Sequence, residues 1–225
     1  MPVLMRLIVA VFALCAGAML AQADVGEFPI KADDGTIIAN HRIAPELEVR
    51  IEKLQNIVVA ANPKGKVTLY EFYDLNCPYC RKASVDIDEL VRAKPNLRLV
   101  LVPFPVLGIP SILAARVEYA VNLLATPQQA YKFHRTVYEG RGTIEDSRAF
   151  AAAQAIGLDV VEVRAKASDE SFAKIMTEHL RLGDALGIQA TPGLVIGGVA
   201  IIGYPGKAAL TKVIAAVERC GKVVC

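Results

Sequence analysis

Two cysteines, Cys77 and Cys80, constrain this chain most, because they lie between a predicted strand and a predicted helix. The β-branched and aromatic run over residues 67–73 predicts the strand. Pro78 suits the first turn of a helix, where its missing N–H costs nothing. At that junction, unpaired backbone N–H groups and the positive end of the helix dipole favour a thiolate on the first cysteine. The second cysteine lies one helical turn away, within reach to form or resolve a disulfide, so the pattern predicts a redox-active dithiol.

The pattern around the dithiol predicts an α/β fold. A second strand over residues 97–102 follows the helix and completes a βαβ-like unit. Residues 110–187 then have helical periodicity, and strands return only at residues 193–203. Because the first strand–helix–strand unit is too small to close a core, we expect one domain over residues 67–219 with an all-helical insertion at about 110–187.

Residues 24–66 are predicted to form an N-terminal extension before this domain. Asp34-Gly35, flanked by isoleucines, favours a small hairpin. The apolar spacing after Pro45 predicts a helix over residues 46–58. This helix either docks on the domain or mediates a homo-oligomer.

The beginning of the chain has the features of a secretory signal peptide, predicted over residues 1–23. A short basic segment precedes an apolar run over residues 7–20, and Ala21-Gln22-Ala23 is a small-residue cleavage sequence. The run is short for a membrane span and no charged stop follows it, so we expect cleavage and a periplasmic location. The 25 Lys and Arg nearly balance the 23 Asp and Glu, which gives no reason to expect nucleic acid as a partner.

Four cysteines remain after removal of the predicted signal peptide with Cys15, and an even number fits an oxidising compartment. Cys220 and Cys225 end the chain and bound a short loop, residues 220–225. We interpret this loop as closed by a structural disulfide. A second redox pair is the alternative.

Metal binding is the competing class of chemistry. Four cysteines could form a zinc site. The proline directly after Cys77 and the amphipathic helix that follows favour redox chemistry instead. The histidines are scattered and expected at the surface or the edge of the core, so no metal and no cofactor are predicted; they are His41, His134 and His179.

Cys77-Pro78-Tyr79-Cys80 at a strand–helix junction resembles the active site of the thioredoxin superfamily. The helical block, followed by the sequence at residues 190–198, is similar to the DsbA-like branch of that superfamily. The two signatures occur in the order and at the separation found in that branch. The resemblance covers most of the chain and implies a thioredoxin fold.

The resemblance implies a role for each matching residue. Cys77 would be an exposed nucleophile that forms mixed disulfides, and Cys80 the buried resolving thiol. Thr191-Pro192 resembles the cis-proline loop that faces the dithiol and binds substrate backbone. Glu71 matches the family's buried acid, which exchanges a proton with the resolving cysteine. The alternative for Glu71 is a strand-edge carboxylate in water.

The resemblance also implies a thiol:disulfide oxidoreductase that acts on unfolded or misoxidised exported proteins. Its electron partner would be a membrane protein, either a quinone-linked oxidant or a reductant. The best-known oxidases have His in place of Tyr79, and strong oxidases often have Val in place of Thr191. Oxidase, isomerase and reductase directions therefore remain open, as does a holdase that uses the groove around Pro192. Asp74 is expected to be a loop residue near the site.

Overall fold

The computed structural model describes residues 26–225, so the predicted signal peptide over residues 1–23 lies outside the described residues. Both ends of this part of the chain contain strands and helices, and a run of helices lies between these two mixed segments. The elements are β1 (Asn40–Arg42), α1 (Pro45–Ile51), β2 (Val58–Ala61), β3 (Val67–Tyr73), α2 (Pro78–Ala93), β4 (Leu97–Pro103), α3 (Ile109–Leu124), α4 (Pro127–Val137), α5 (Asp146–Ala155), α6 (Val160–Ala167), α7 (Ser171–Ala185), β5 (Gly193–Ile196), β6 (Val199–Ile202) and α8 (Lys207–Cys220).

The strands form one mixed sheet in the order β1-β6-β5-β3-β4-β2. β3 and β4 are parallel, from Val67 opposite Leu97 to Tyr73 opposite Pro103. The other neighbouring strands are antiparallel. β3 lies at the centre and is covered on both faces, which explains why its sequence is almost continuously apolar. The loop that leaves its carboxyl end carries the dithiol.

Helices cover both faces of the sheet. Alternate residues of β3 point to opposite faces, with Leu69 and Tyr73 on one side and Tyr70 and Phe72 on the other. Helices α2, α3, α4, α5, α6 and α8 contribute to the larger core, whereas α1 and α7 pack on the second face. Buried helical residues include Ile87, Val117, Phe133 and Leu210 in the first core and Ile51 and Leu182 in the second.

The predicted fold class is confirmed, including the helical insertion. Five helices, α3 to α7, separate β4 from β5. Local sequence sets several of their ends: Thr126 and Gln129 form a capping box at α4, and the Asp159 side chain caps α6. Among residues 26–225, no helix is both long and apolar enough to cross a bilayer.

The helix predicted over residues 46–58 is wrong at its C-terminal end. Helix α1 ends at Ile51, Asn56 has a left-handed backbone with φ of 63°, and residues 58–61 form strand β2. β2 pairs with β4, so the β-branched run at the end of the predicted helix is used for a sheet edge. Ile51 is fully buried against the second face of the sheet, which makes α1 a docked helix.

The segment before β1 turns tightly at Asp34-Gly35, as the sequence predicts. Lys31 and Ile37 form a single antiparallel bridge, and Gly35 has φ of 88°, a conformation that favours glycine. β1 then pairs with β6, so the N-terminal segment contributes strands to both edges of the sheet. We call residues 31–37 the N-terminal hairpin.

Candidate active site at the start of helix α2

The loop between β3 and α2 is held by the buried carboxylate of Asp74. One oxygen accepts hydrogen bonds from the backbone N–H of Asn76 and the hydroxyl of Ser111, both at 2.7 Å. The other accepts from the backbone N–H groups of Val106 and Leu107, both at 2.8 Å. Four donors on one buried carboxylate fix this loop against the segment that follows β4.

Cys77 is the N-cap residue of α2, and Pro78 occupies the first helical position. The Cys77 sulfur accepts a hydrogen bond from the backbone N–H of Cys80 at 3.4 Å and lies 3.1 Å from the carbonyl oxygen of Thr191. Hydrogen bonding from Cys80 lowers the pKa of Cys77 to about 6, against the opposing effect of burial. At neutral pH this sulfur is therefore mainly a thiolate, the form that attacks disulfides.

The expectation that Cys77 is exposed is wrong, because only 4% of it is accessible. The loop that contains Thr191 comes from a distant part of the sequence and lies against the sulfur. Tyr79, two residues after Cys77, points outward and is 64% exposed. The loop that contains Thr191 therefore covers part of the Cys77 sulfur and limits the access of other molecules to it.

Cys80 has no accessible surface, and burial raises its pKa well above the usual value for a thiol. A hydrogen bond with Cys77 and the charge of Glu71 act in the same direction. The two cysteines therefore differ strongly in acidity, although only two residues separate them. Such a difference suits a pair in which one sulfur attacks while the other holds its proton.

Glu71 is buried, which excludes the water-exposed alternative for this residue. It lies on β3 between Leu101 of β4 and Leu194 of β5 and is 1% exposed. Neither carboxylate oxygen has a hydrogen-bond partner within residues 26–225. Desolvation raises the pKa of Glu71 to about 8, with a smaller contribution from the charge of Cys77. The side chain is therefore mostly protonated at pH 7.

Replacing Glu71 with glutamine is expected to change how stability depends on pH. Between the usual pKa of 4.5 and the folded value of about 8, the unfolded chain releases the Glu71 proton and the folded protein keeps it. Stability of the parent protein therefore falls as pH rises through this window. Glutamine removes the effect, so the variant should gain roughly 3–5 kcal/mol relative to the parent across it. Urea unfolding at both ends of the window measures this, and parallel pH curves would contradict the buried-acid assignment.

The loop that faces the dithiol contains a cis peptide bond between Thr191 and Pro192. Strand β5 begins directly after it at Gly193, which pairs with Phe72 of β3. A side chain at Gly193 would lie 2.4 Å from Ile188, so only glycine fits this approach. The pairing of β5 with β3 therefore places the Thr191 carbonyl oxygen 3.1 Å from the Cys77 sulfur.

Another buried acidic side chain, Glu118, is missed by sequence reasoning. The hydroxyl of Tyr73 donates a 2.7 Å hydrogen bond to Glu118 of α3, and burial raises the pKa of Glu118 to about 8. The ring of His134 lies edge-on between Tyr73 and Tyr138. Glu118 is four residues after Ala114 and three before Val121, on the apolar face of α3, and that position was the available signal.

The histidine prediction is wrong for two of the three residues. His134 is 2% exposed and His179 is fully buried, because both lie on helix faces that pack onto the sheet. Burial lowers the pKa of His134 to about 3, so this ring is neutral. His41 is half-buried, with its Nε2 atom 2.9 Å from the Leu186 carbonyl oxygen.

Cys220 and Cys225 are joined by a disulfide at the end of α8. The loop between them places Val223 in the main core. Among the residues described, no cluster of three or more His, Cys, Asp or Glu side chains is arranged to hold a metal ion. The four cysteines within residues 26–225 thus form two separate pairs, and the free thiols there are those of Cys77 and Cys80.

Comparison with known proteins agrees with this geometry. The family model described as Thioredoxin matches residues 53–216. A thioredoxin-like oxidoreductase from Silicibacter pomeroyi DSS-3 is 32% identical, with a TM-score of 0.65 over 74% of this chain and 93% of that one. A periplasmic thioredoxin-like protein from Salmonella enterica serovar Typhimurium is 25% identical, with a TM-score of 0.66 over 78% and 97% of the two chains. No curated protein sequence matches significantly.

The same fold occurs at lower sequence identity. The thiol-disulfide exchange protein alpha-DsbA2 from Wolbachia pipientis is 22% identical, with a TM-score of 0.66 over 77% of this chain and 98% of that one. The family match covers more than half of the chain and includes the strand, the dithiol, the helical insertion and the cis-proline loop. The chain therefore belongs to the thioredoxin family and shares the fold of the DsbA-like protein from Wolbachia.

Proposed function

We propose that this chain is a periplasmic oxidoreductase that exchanges disulfides with exported proteins through Cys77 and Cys80. The observation that carries the proposal is the contrast between the two sulfurs. The pKa of Cys77 is lowered to about 6, whereas burial raises that of Cys80. Export is supported by the signal-like sequence of residues 1–23 and by similarity to the periplasmic protein from Salmonella.

In the direction that oxidises a substrate, the enzyme begins with a Cys77–Cys80 disulfide. A substrate thiolate attacks the Cys77 sulfur, a mixed disulfide forms, and Cys80 leaves with the electron pair of the broken bond. Glu71, mostly protonated at pH 7, donates a proton to Cys80. A second substrate thiolate then attacks the substrate sulfur of the mixed disulfide, which forms the substrate disulfide and releases the Cys77 thiolate.

In the opposite direction, the Cys77 thiolate attacks a substrate disulfide and displaces one substrate sulfur as a thiolate. In the minor fraction of molecules in which Glu71 is ionised at pH 7, Cys80 gives its proton to Glu71 and attacks the Cys77 sulfur. The Cys77–Cys80 disulfide forms, and the substrate leaves with both of its thiols reduced. Reduction or isomerisation of misoxidised proteins would use these steps.

The second candidate function is a disulfide isomerase or reductase. Tyr79 is exposed and provides no positive charge to stabilise the Cys77 thiolate, which favours a less oxidising disulfide. The equilibrium with glutathione separates the candidates: a potential near the −120 mV of DsbA supports an oxidase, and one near the −270 mV of thioredoxin supports a reductase. A quinone-linked oxidant would be the membrane partner of the first, and a membrane reductant that of the second.

The Cys80→Ser variant is expected to trap mixed disulfides and so tests the proposed function. Without the second sulfur, Cys77 still attacks a substrate disulfide, but the resulting bond is not resolved within the enzyme. Non-reducing gel electrophoresis and mass spectrometry should show covalent complexes with a scrambled, disulfide-bonded substrate protein. The Cys77→Ser/Cys80→Ser double variant is the control and should form none. Trapping through any other cysteine, or no trapping, would contradict the proposal.

If the chain is instead a non-enzymatic holdase, a different result is expected. It would suppress the aggregation of unfolded proteins equally well in the parent and in the double variant, because the thiols would take no part. An oxidoreductase that also binds unfolded chains would keep this activity and lose disulfide exchange. Measuring both activities on the same variants separates binding from chemistry.

A further inference from the structure

A cleft of about 380 Å³ opens beside the dithiol, and no step of the proposed function uses it. On one side are the outward-pointing ring of Tyr79 and the cis-proline loop, whose Thr191 carbonyl oxygen touches the Cys77 sulfur. On the other side is the N-terminal hairpin. The side chains that define the cleft are Asp34, Thr36, Ile37, Tyr79, Thr191 and Tyr204.

The wall formed by the N-terminal hairpin is fixed to the body of the protein. The carboxylate of Asp33 accepts hydrogen bonds from the backbone N–H groups of Ala208 at 3.1 Å and Ala209 at 2.7 Å. It thereby caps the first turn of α8, which begins after a glycine without a capping side chain. The Asp33 N–H donates in turn to the carbonyl oxygen of Pro205 at 2.8 Å. These hydrogen bonds therefore hold the N-terminal hairpin in place as one wall of the cleft.

The charge of this cleft is negative. Among the described residues that line it, Asp34 has the only charged side chain. Its Oδ1 atom accepts from the hydroxyl and the N–H of Thr36, at 2.7 Å and 2.9 Å, and these bonds lower the pKa of Asp34. The hydroxyl of Tyr204 donates to a second carboxylate, Asp86, at 2.8 Å. A cation is therefore the complementary charge for a ligand in the cleft.

The apolar surface of the cleft suits the stem of a long basic side chain. Ile37 is 48% exposed and Tyr79 is 64% exposed, so both present carbon surface to solvent. The methylene groups of a lysine or arginine bury such surface while the charged end stays hydrated. The exposed ring of Tyr79 also offers a face for a cation.

We propose that the cleft receives a lysine or arginine close to the reacting cysteine of the substrate polypeptide, and that Asp34 is the residue that sets this preference. The inference rests on the proposed function, because a mixed disulfide at Cys77 is what brings the substrate chain to the cleft. Asp34 acts on substrate choice and leaves the bond-making sulfurs unchanged.

Three disulfide-bonded peptides test the proposal; they carry lysine, norleucine or glutamate beside the cysteine and are otherwise identical in sequence. The rate at which each forms a mixed disulfide with the Cys80→Ser protein is measured by mass spectrometry at low and high salt. The lysine peptide should react roughly two- to five-fold faster than the glutamate peptide at low salt, the range of an exposed ion pair. High salt should reduce the difference.

The Asp34→Asn variant should bring the lysine-to-glutamate rate ratio close to one. Asparagine keeps the oxygen that accepts from Thr36 and tolerates the turn, so the hairpin stays in place. Glu162→Gln removes an exposed carboxylate on α6, outside the cleft, and should leave the ratio unchanged. The norleucine peptide should react equally with all three proteins.

Each contrary outcome has a distinct meaning. Equal rates for the lysine and glutamate peptides would overturn the inference and leave the proposed function standing. A ratio that survives Asp34→Asn, or a slower reaction of the norleucine peptide in that variant, would overturn the role of Asp34. Failure of all three peptides to react with Cys77 would overturn the proposed function itself.

Discussion

Replacing Cys77 with serine is expected to abolish disulfide exchange. The Cys77 sulfur is the one whose pKa is lowered to about 6, so it supplies the thiolate, and a serine hydroxyl does not ionise at neutral pH. The loss should be on the order of 10³-fold or more, in keeping with the removal of a covalent nucleophile from other enzymes. Turnover of a fluorescent disulfide-linked peptide pair with a glutathione buffer measures it.

The second disulfide of the chain provides the matched control. Cys220 and Cys225 lie at the C-terminal end of α8, where no helix N-terminus stabilises a thiolate. The double variant Cys220→Ser/Cys225→Ser should therefore keep nearly full turnover while losing some thermal stability. Loss of turnover in this variant would assign the pair a relay role, and full turnover in Cys77→Ser would show that another thiol carries the reaction.

The Asp74→Ala variant is expected to lower the free energy of unfolding by about 3–5 kcal/mol, because four hydrogen bonds lose their buried acceptor. The affected donors include two backbone N–H groups after β4 and the hydroxyl of Ser111. Groups left without a partner in a dry site cost more than the bonds contribute when made. Guanidinium unfolding of the parent and the variant measures the difference.

Asp159 is the control carboxylate for this experiment. It accepts one hydrogen bond, from the N–H of Val161 at 2.8 Å, at the exposed start of α6. Asp159→Ala should cost only about 1 kcal/mol, as for an ordinary N-cap. If Asp74→Ala does not fold, Asp74→Asn, which keeps one acceptor, should fold with reduced stability. Equal losses for the alanine variants would contradict the central role of Asp74 in the loop.

Local sequence was sufficient to predict the elements whose structure depends on residues within the same segment. The β-branched and aromatic run of β3, the proline after Cys77 and the capping residues Thr126 and Asp159 each act within a few neighbouring residues. These signals predicted the central strand, the dithiol at the helix start and the helical insertion. Local signals were insufficient at residues 46–58. The apolar spacing there fits a helix, but the β-branched residues at its end form strand β2, because β2 pairs with β4.

The candidate site likewise has features that local sequence determines and features that depend on tertiary packing. The sequence by itself determined the dithiol and its order, because the spacing of Cys77 and Cys80 and the dipole of the helix that follows are local properties. Only the tertiary structure decided the burial of Cys77 and Glu71, the contact with Thr191, and the cleft between Tyr79 and the N-terminal hairpin. These features depend on contacts between segments that are distant in the sequence, such as Cys77 and Thr191, and the burial of each side chain is set by what packs over it.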